Sequence, residues 1–208
     1  LGNSHMQMYA PLFQEVGAKT NREVMLVPLN SCLPTTNFNV SSQCNVLARK
    51  NLETILKDAE VSKVVLGLTW YQEFYVDERG DRVPFTKILP ALDQLIRQLI
   101  LAGKEVAVMS PILIPPTDLA SELPRRIWFS HISELEALQR VVSPREKYDS
   151  KFSMINEEFS SRKDITYVEV YKDLCNATEC AWAERGKMWF ADGSHLSTNA
   201  LSHLHKTR

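Results

Sequence analysis

The stretch Lys63-Val64-Val65-Leu66-Gly67-Leu68 is a continuous apolar run, as expected of a parallel strand covered on both faces. Upstream, Cys44 to Ala59 carries apolar residues at helical spacing. Downstream, Phe85 to Ala102 has the pattern of an amphipathic helix ended by Gly103, and Glu105 to Met109 has that of the next strand. Strand alternating with helix predicts an α/β fold, with a parallel sheet and helices on both of its faces.

The remaining pattern extends this alternation to both ends of the chain. Met6 to Val16 is predicted as a helix that stops at Gly17, and Glu23 to Leu29 as a strand interrupted by Pro28. The prolines between Ser110 and Arg126 predict a loop at a strand end. The later predicted elements are helices over Ile127 to Val142 and Pro144 to Ser160, a strand over Asp164 to Val170, and a short helix capped by Ser197 or Thr198.

Size and composition predict one domain over residues 1–208. The chain is 44% hydrophobic and 24% charged, which is enough apolar material for one substantial core. Its net charge of -1 gives no general attraction to nucleic acid or to an anionic membrane surface. The sequence has no apolar run of about 18 residues. Fusion to membrane segments outside these residues stays open.

Two short motifs carry the candidate chemistry. Gly2-Asn3-Ser4-His5 and Asp192-Gly193-Ser194-His195 together contain a serine, a histidine and an acid. A serine hydroxyl is a poor nucleophile until a base takes its proton, and the base needs a third group to orient it. We interpret Ser4 as the nucleophile, His195 as the base and Asp192 as the orienting acid.

Each motif also has a plainer interpretation. Ser4 can be a helix N-cap, Asp192-Gly193 a turn and His195 a residue at a helix start. Gly-Ser-His-Met is also a common remnant of an expression tag, and this chain reads Gly-Asn-Ser-His-Met. The interposed Asn3, and the helix-like apolar run that follows, favour a native motif.

The two motifs resemble blocks of a known superfamily. Gly2-Asn3-Ser4-His5 is similar to its G-D-S-H block, with Asn3 where Asp is usual, and Asp192 to Ser197 is similar to its D-x-x-H-L-S block. On these residues the chain resembles the SGNH (GDSL-like) hydrolases. It is most similar to the SGNH domain fused to the C-terminus of acyltransferase-3 membrane proteins, which O-acylate bacterial surface glycans. The resemblance continues through the segments Ser31 to Pro34 and Val64 to Trp70, and through Cys44, Cys175 and Cys180.

The resemblance implies a fold, an activity and a location. The fold is a three-layer, flavodoxin-like SGNH hydrolase domain, here the C-terminal part of a larger membrane acyltransferase. The activity is O-acetyl transfer to a cell-envelope polysaccharide through an acyl-serine, without a cofactor or metal. A membrane domain delivers the acyl donor, a glycan is the acceptor, and the domain is a monomer in the periplasm, tethered to the inner membrane. The alternatives are a non-catalytic module that binds the glycan acceptor and a free periplasmic carbohydrate esterase.

Oxyanion-hole residues are harder to assign. The superfamily takes a glycine and an asparagine from two middle blocks, and the corresponding strand ends here offer Asn30-Ser31 and Gly67-Leu68-Thr69-Trp70. The usual G-x-N-D string is absent. Thr69 and Trp70 can instead shape the pocket or pack in the core. His5 is a candidate contact to an acyl or sugar oxygen, and a structural hydrogen bond is its alternative role.

The four cysteines indicate in which cellular compartment the protein folds. Cys32 with Cys44, and Cys175 with Cys180, bracket short polar segments in the manner of local disulfide loops. Reduced, buried cysteines of a cytosolic protein are the alternative, and metal binding is weaker because neither spacing is C-x-x-C. We predict two disulfides, which indicate an oxidising compartment. Together with the resemblance, they indicate the periplasm.

Overall fold

The structure is a computed structural model that describes residues 1–207. Their contacts divide into two compact units. The first unit comprises Leu1–Gln7, Met25–Met109 and Glu158–Val168, and the second comprises Met8–Val24, Ser110–Glu157 and the chain from Glu169 onward. In chain order the elements are α1 (Ser4–Gln7), α2 (Ala10–Thr20), α3 (Ser42–Lys57), β1 (Lys63–Leu66), a 3-10 turn (Gln72–Phe74), α4 (Phe85–Leu101), β2 (Glu105–Met109), α5 (Leu119–Ser130), α6 (Glu134–Ala137), β3 (Arg140–Pro144), α7 (Arg145–Ser160), β4 (Thr166–Val168), α8 (Tyr171–Leu174), β5 (Glu179–Glu184), β6 (Lys187–Met188) and α9 (Thr198–Thr207).

The first unit contains the predicted parallel sheet. Its three strands run in the order β1, β2, β4, and both pairings are parallel. The chain start extends this sheet, because Gly2 forms parallel bridges both to Gly67, just after β1, and to Pro28. The order is therefore the Pro28 segment, the chain start, β1, β2 and β4, which is the flavodoxin-like order. The predicted α/β class is confirmed.

The helices α3 and α4 confirm the helical periodicity of the sequence. The Ser41 side chain caps α3 by accepting a hydrogen bond from the Cys44 N–H, as N-cap serines do. One face of α4 is fully buried, at Ile88, Leu92, Leu95 and Leu99. The spacing of three and four residues places these four side chains on a single stripe.

The first predicted helix is wrong in its bounds. The chain forms α1 and then, after a turn at Met8 and Tyr9, the separate helix α2. Gly17 lies inside α2 and does not end it, since the helix continues to Thr20 and is capped by Asn21 in the left-handed conformation. A Cβ on Gly17 would lie 2.7 Å from the Arg22 carbonyl oxygen. Glycine at position 17 therefore allows the chain at Arg22 to pack closely against α2.

The predicted strand from Glu23 to Leu29 is also wrong over most of its length. Only its end pairs, where the Gly2 N–H donates to the Val27 oxygen and the Leu29 N–H donates to the Gly2 oxygen. Val24, Met25 and Leu26 are between 40% and 47% exposed. Only the last residues of this segment pair with the Gly2 strand.

Downstream of β2 the structure departs from the sequence prediction again. The proline-rich loop ends at Asp118, whose side chain caps α5 by accepting from the Ala120 and Ser121 N–H groups. The helix predicted from Ile127 to Val142 is interrupted at His131. Its last residues belong to β3, which pairs antiparallel with β5.

The second unit thus holds an antiparallel sheet, in the order β3, β5, β6, that the sequence analysis did not predict. The predicted helix from Pro144 to Ser160 is observed as α7, and the predicted tail helix as α9. The predicted strand from Asp164 to Val170 is shortened to β4. No helix in residues 1–207 combines the length and apolarity needed to cross a membrane.

Candidate active site

The Ser4 turn lies at the carboxyl end of the parallel sheet, where functional groups of such sheets collect. The Leu1 amino group donates to the Val65 oxygen at 2.8 Å, and the Gly67 N–H donates to the Leu1 oxygen at 3.2 Å. A Cβ on Gly2 would come within 1.7 Å of the Gly67 oxygen, so only glycine allows the two backbones to approach. Ser4 lies two residues after Gly2 and is the half-buried first residue of α1.

Asn3 anchors this turn inside the first unit. Its side chain is 3% exposed. Its Oδ1 accepts from the His5 N–H and from the Thr69 N–H, each at 3.1 Å. Its Nδ2 donates to the Tyr75 hydroxyl at 2.9 Å. A side chain built this deeply into the sheet argues against a tag remnant and for a native motif.

Gly67, Thr69 and Trp70, the oxyanion-hole and pocket candidates after β1, donate most of their N–H groups to other residues. The Gly67 N–H donates to Leu1 and the Thr69 N–H to Asn3. The Trp70 indole N–H donates to the Met109 oxygen at 3.0 Å, and its ring packs on Phe159 at 5.5 Å. Trp70 thus has the contacts of a core residue.

The remaining candidates are Asn30, Ser31 and His5. Asn30 and Ser31 are exposed, and Ser31 has a φ of +57°. The Asn30 Oδ1 accepts from the Gln7 side chain at 2.8 Å, which links this loop to α1. His5 is 6% exposed, so most of its ring is buried.

The second unit contains the predicted pair of Asp192 and His195. The His195 Nδ1 lies 2.8 Å from the Asp192 Oδ2. The other carboxylate oxygen, Oδ1, accepts from the Ser194 N–H at 2.7 Å and from the His195 N–H at 2.8 Å. The short loop therefore holds the carboxylate by its own backbone while the carboxylate holds the ring.

These contacts favour the ionised form of Asp192. Partial desolvation opposes the charge of Asp192, but the hydrogen bonds from Ser194 and His195 outweigh it and lower the pKa of Asp192 to about 2. An ionised carboxylate can accept the proton of Nδ1, and in that tautomer Nε2 carries the lone pair of the imidazole. The Nε2 atom is itself buried. A histidine oriented by an ionised acid can act as a general base toward a proton within hydrogen-bond reach.

The surrounding residues hold this loop in place. Phe190 and Leu196 form an antiparallel bridge across it, and the Leu196 N–H donates to the Met8 sulfur at 3.3 Å. The Ser197 hydroxyl donates to the Met188 oxygen at 2.6 Å and accepts from the Ala200 N–H, so it also caps α9. The loop is thereby fixed at both ends.

The predicted disulfides are confirmed. Cys32 bonds Cys44 and Cys175 bonds Cys180, and the described part of the chain has no free cysteine. The first bond joins the loop after Ser31 to α3, and the second joins the end of α8 to β5. No group of three or more His, Cys, Asp or Glu side chains within residues 1–207 could hold a metal ion.

Sequence analysis missed the partners of Asn3 and of the histidine loop. Tyr75 lies nine residues beyond the end of β1, and Met8 lies in the turn between α1 and α2. No sequence pattern near Tyr75 or Met8 indicates these contacts, because each hydrogen bond joins residues that are distant in the chain. The departure of Asn3 from the G-D-S-H pattern was the one available pointer.

Known protein families and solved structures include relatives of this chain. The family model described as "SGNH domain (fused to AT3 domains)" matches residues 1–206. No curated protein sequence matches the chain. The structure of the periplasmic domain of the lipopolysaccharide acetyltransferase of Salmonella ser. Paratyphi A is similar, with a TM-score of 0.65 and 16% identity over 99% of this chain and 78% of that one. A protein from Streptococcus pneumonia, described as a candidate platelet activating factor, has a TM-score of 0.58 and 18% identity over the same shares of the two chains.

At these identities the solved structures establish the fold alone. The family model also covers nearly the whole chain, and it matches the sequence itself. The protein belongs to the family of SGNH domains that are fused to AT3 domains.

Proposed function

We propose that this chain is the periplasmic domain of a membrane O-acyltransferase that acetylates a bacterial cell-envelope polysaccharide. The observation that carries the proposal is the hydrogen bond of 2.8 Å between His195 and an ionised Asp192, in a chain whose family is fused to AT3 domains. The likeness to a lipopolysaccharide acetyltransferase domain from Salmonella supports the same class of acceptor. The two disulfides support an oxidising compartment.

The proposed reaction has two acyl-transfer steps. In the first, Ser4 Oγ attacks the carbonyl carbon of the acyl donor while His195 Nε2 takes the serine proton. The tetrahedral intermediate collapses to acyl-Ser4, and the leaving group takes the proton from His195. In the second, a sugar hydroxyl attacks the acyl-serine, its proton passes to His195 and then to Ser4 Oγ, and the glycan ester is released.

Each chain residue has a defined part in these steps. Asp192 keeps Nδ1 protonated, so Nε2 is the basic nitrogen. The backbone N–H of Ser4 stabilises the oxyanion, because N–H groups in the first turn of a helix have no partner within that helix. In this proposal the membrane domain supplies the acyl donor, and the chain needs no cofactor.

Ser4→Ala in the full-length membrane protein tests the proposal. Acetylation of the glycan should fall by up to about a millionfold, with His195→Ala nearly as damaging because nucleophile and base act as a unit. Asp192→Ala should cost less, since it only orients and stabilises the ring. Ser150→Ala, at an exposed serine of α7 that contacts its own helix, is the matched control. Wild-type acetylation by a folded Ser4→Ala protein would contradict the proposal.

A second candidate is a non-catalytic module that binds the glycan acceptor. It is favoured by the backbone N–H groups of Gly67 and Thr69, which already donate to Leu1 and Asn3 and so are not available to an oxyanion. The Ser4→Ala experiment separates the two, because a binding module keeps full acetylation without the hydroxyl. A free periplasmic esterase, the third alternative, would hydrolyse small esters yet leave the glycan unmodified.

A further inference from the structure

Helix α5 lies on the surface of the second unit, and little of its length is packed. Of the residues described in α5, only Leu119, in its first turn, is buried. A helix of 12 residues is marginal by itself and depends on the packing of an apolar face. At the other end of α5, the side chains of Trp128 and Phe129 are 76% and 78% exposed. Two large aromatic rings at the end of this helix are therefore left in water.

Two arginines complete this exposed surface. In the run Arg125-Arg126-Ile127-Trp128-Phe129, each arginine stands three positions before an aromatic residue. Side chains three or four positions apart on a helix are neighbours. Both arginines are exposed, and neither guanidinium forms an ion pair within residues 1–207. The two arginines and the two aromatic residues thus form one contiguous surface, the α5 patch.

The α5 patch is locally basic, although the whole chain has a net charge of -1. From Pro124 to Ser133 the sequence contains two arginines and no aspartate or glutamate. Glu122, the acid in the first turn of the same helix, is half-buried. The net charge excludes a general attraction of the chain to anionic surfaces. A local excess of positive charge still attracts an anionic surface that lies within a Debye length, about 10 Å.

The chemistry of the α5 patch fits the interface of a lipid bilayer. Tryptophan and phenylalanine insert at the level of the headgroups, while arginine keeps its guanidinium at the phosphates and lays its methylene groups along apolar surface. A sugar chain instead needs side chains that bind its hydroxyl groups. The segment from Pro124 to Ser133 contains no aspartate, glutamate, asparagine or glutamine for that purpose. The patch therefore favours lipid over glycan.

We propose that the α5 patch binds the anionic surface of the bilayer beside which this domain is held. The proposal rests on the proposed function in one respect, since there the chain is attached to a membrane domain. It adds a direct contact between the domain and the lipid. The aromatic pair enters the headgroup region, and the two arginines bind lipid phosphates.

This contact would also position the histidine loop. Helix α5 is capped by Asp118, and a Cβ on Gly193 would lie 3.7 Å from the Asp118 Cβ. The start of α5 therefore packs beside the loop that holds Asp192 and His195. Trp128 follows Asp118 by about 10 residues, or about 15 Å of helix. Bilayer binding would keep this loop close to the membrane, from which the acyl group is delivered in the proposed reaction.

Binding of the chain to lipid vesicles tests the proposal. Trp128 is exposed, whereas Trp70, Trp182 and Trp189 are between 3% and 8% exposed, so a change in tryptophan emission reports on the α5 patch. With vesicles of one-third phosphatidylglycerol and two-thirds phosphatidylcholine, the emission should shift to shorter wavelength, and brominated lipid should quench it. Vesicles of phosphatidylcholine alone should bind the chain more weakly, because they lack the negative charge.

Variants separate the two parts of the α5 patch. Trp128→Ala combined with Phe129→Ala should weaken binding to the mixed vesicles by at least about tenfold, because two large apolar side chains no longer enter the bilayer. Arg125→Gln and Arg126→Gln should each weaken binding by about fivefold, the usual effect of one basic residue near an anionic surface. Trp128→Phe should keep most of the binding and lose the change in emission.

Matched controls lie on other helices. Leu101→Ala removes an 87% exposed leucine of α4, and Arg49→Gln removes an exposed arginine of α3. Both should bind the mixed vesicles as the wild-type chain does. The urea midpoint of each variant shows whether the fold is kept. Wild-type binding by the folded Trp128→Ala, Phe129→Ala double variant would overturn the proposal, as would a wild-type chain that does not bind the mixed vesicles.

Other occupants of the α5 patch give different results. If a soluble acidic polysaccharide shifts the Trp128 emission and the vesicles do not, the patch binds glycan and the proposal is wrong. If the chain forms a dimer that depends on Trp128 and does not bind vesicles, a second copy covers the patch and the proposal is again wrong. Vesicle binding involves neither Ser4 nor His195, so its failure would leave the acetylation experiment unaffected. Wild-type acetylation by Ser4→Ala would instead contradict the proposed function alone.

Discussion

Asp192→Asn should lower the unfolding free energy of the protein. It should also reduce how strongly that free energy falls at acidic pH. The pKa of Asp192 lies at about 2 instead of its ordinary 3.8, a difference equivalent to about 2.4 kcal/mol of unfolding free energy. The side chain is 51% exposed, so solvent screening reduces this to roughly 1 kcal/mol. Because the folded-state pKa is depressed, the contribution is fully present above pH 4 and disappears as the pH falls from about 4 to about 2.

The assay is reversible urea unfolding of the oxidised protein at several pH values between 7 and 2. Asp192→Asn should be about 1 kcal/mol less stable than wild type at pH 7, and the difference should shrink as the pH approaches 2. All other carboxylates titrate alike in both proteins, so they cancel in this comparison. Glu53→Gln, at an exposed carboxylate 3.9 Å from Lys57, is the control and should cost only a few tenths of a kcal/mol. A stability difference that does not change with pH would refute the assignment of an ionised, hydrogen-bonded Asp192.

Other expected outcomes follow from the same structure. An experimental structure should place Ser4 Oγ within hydrogen-bond reach of His195 Nε2, directly or through one water. A longer separation in a ligand-bound crystal would refute the proposed catalytic triad. Replacing Cys32 and Cys44 together by serine should lower the unfolding free energy by about 3 kcal/mol, since the bond closes a loop across 12 residues; equal urea midpoints before and after would contradict this. Gly2→Ala should destabilise the fold by more than about 2 kcal/mol, because its Cβ would lie 1.7 Å from the Gly67 oxygen. Gly193→Ala is the matched control, since the nearest atom to its Cβ is 3.7 Å away, and equal stability losses in the two variants would refute the packing argument.

Elements whose signals are local could be predicted from the sequence. The apolar period of α3 and α4, and the uninterrupted apolar runs of β1 and β2, specify helix or strand within a few residues along the chain. The disulfide pairs were also readable, because each joins cysteines only 12 or 5 positions apart. The acid and base pair of Asp192 and His195 was predicted for the same reason, since both side chains lie on one short loop.

The tertiary structure alone decided what depends on distant partners. The antiparallel sheet joins β3 to β5 across about 40 residues. Neither strand has a strong alternating apolar pattern from which it could have been predicted. Gly2 becomes part of the parallel sheet only because Gly67 and Pro28 flank it. The direction of the Asn3 amide depends on Thr69 and Tyr75, which lie more than 60 residues away. A hydrogen bond between remote residues leaves no periodicity in the sequence, because its partners meet only when the sheet has formed.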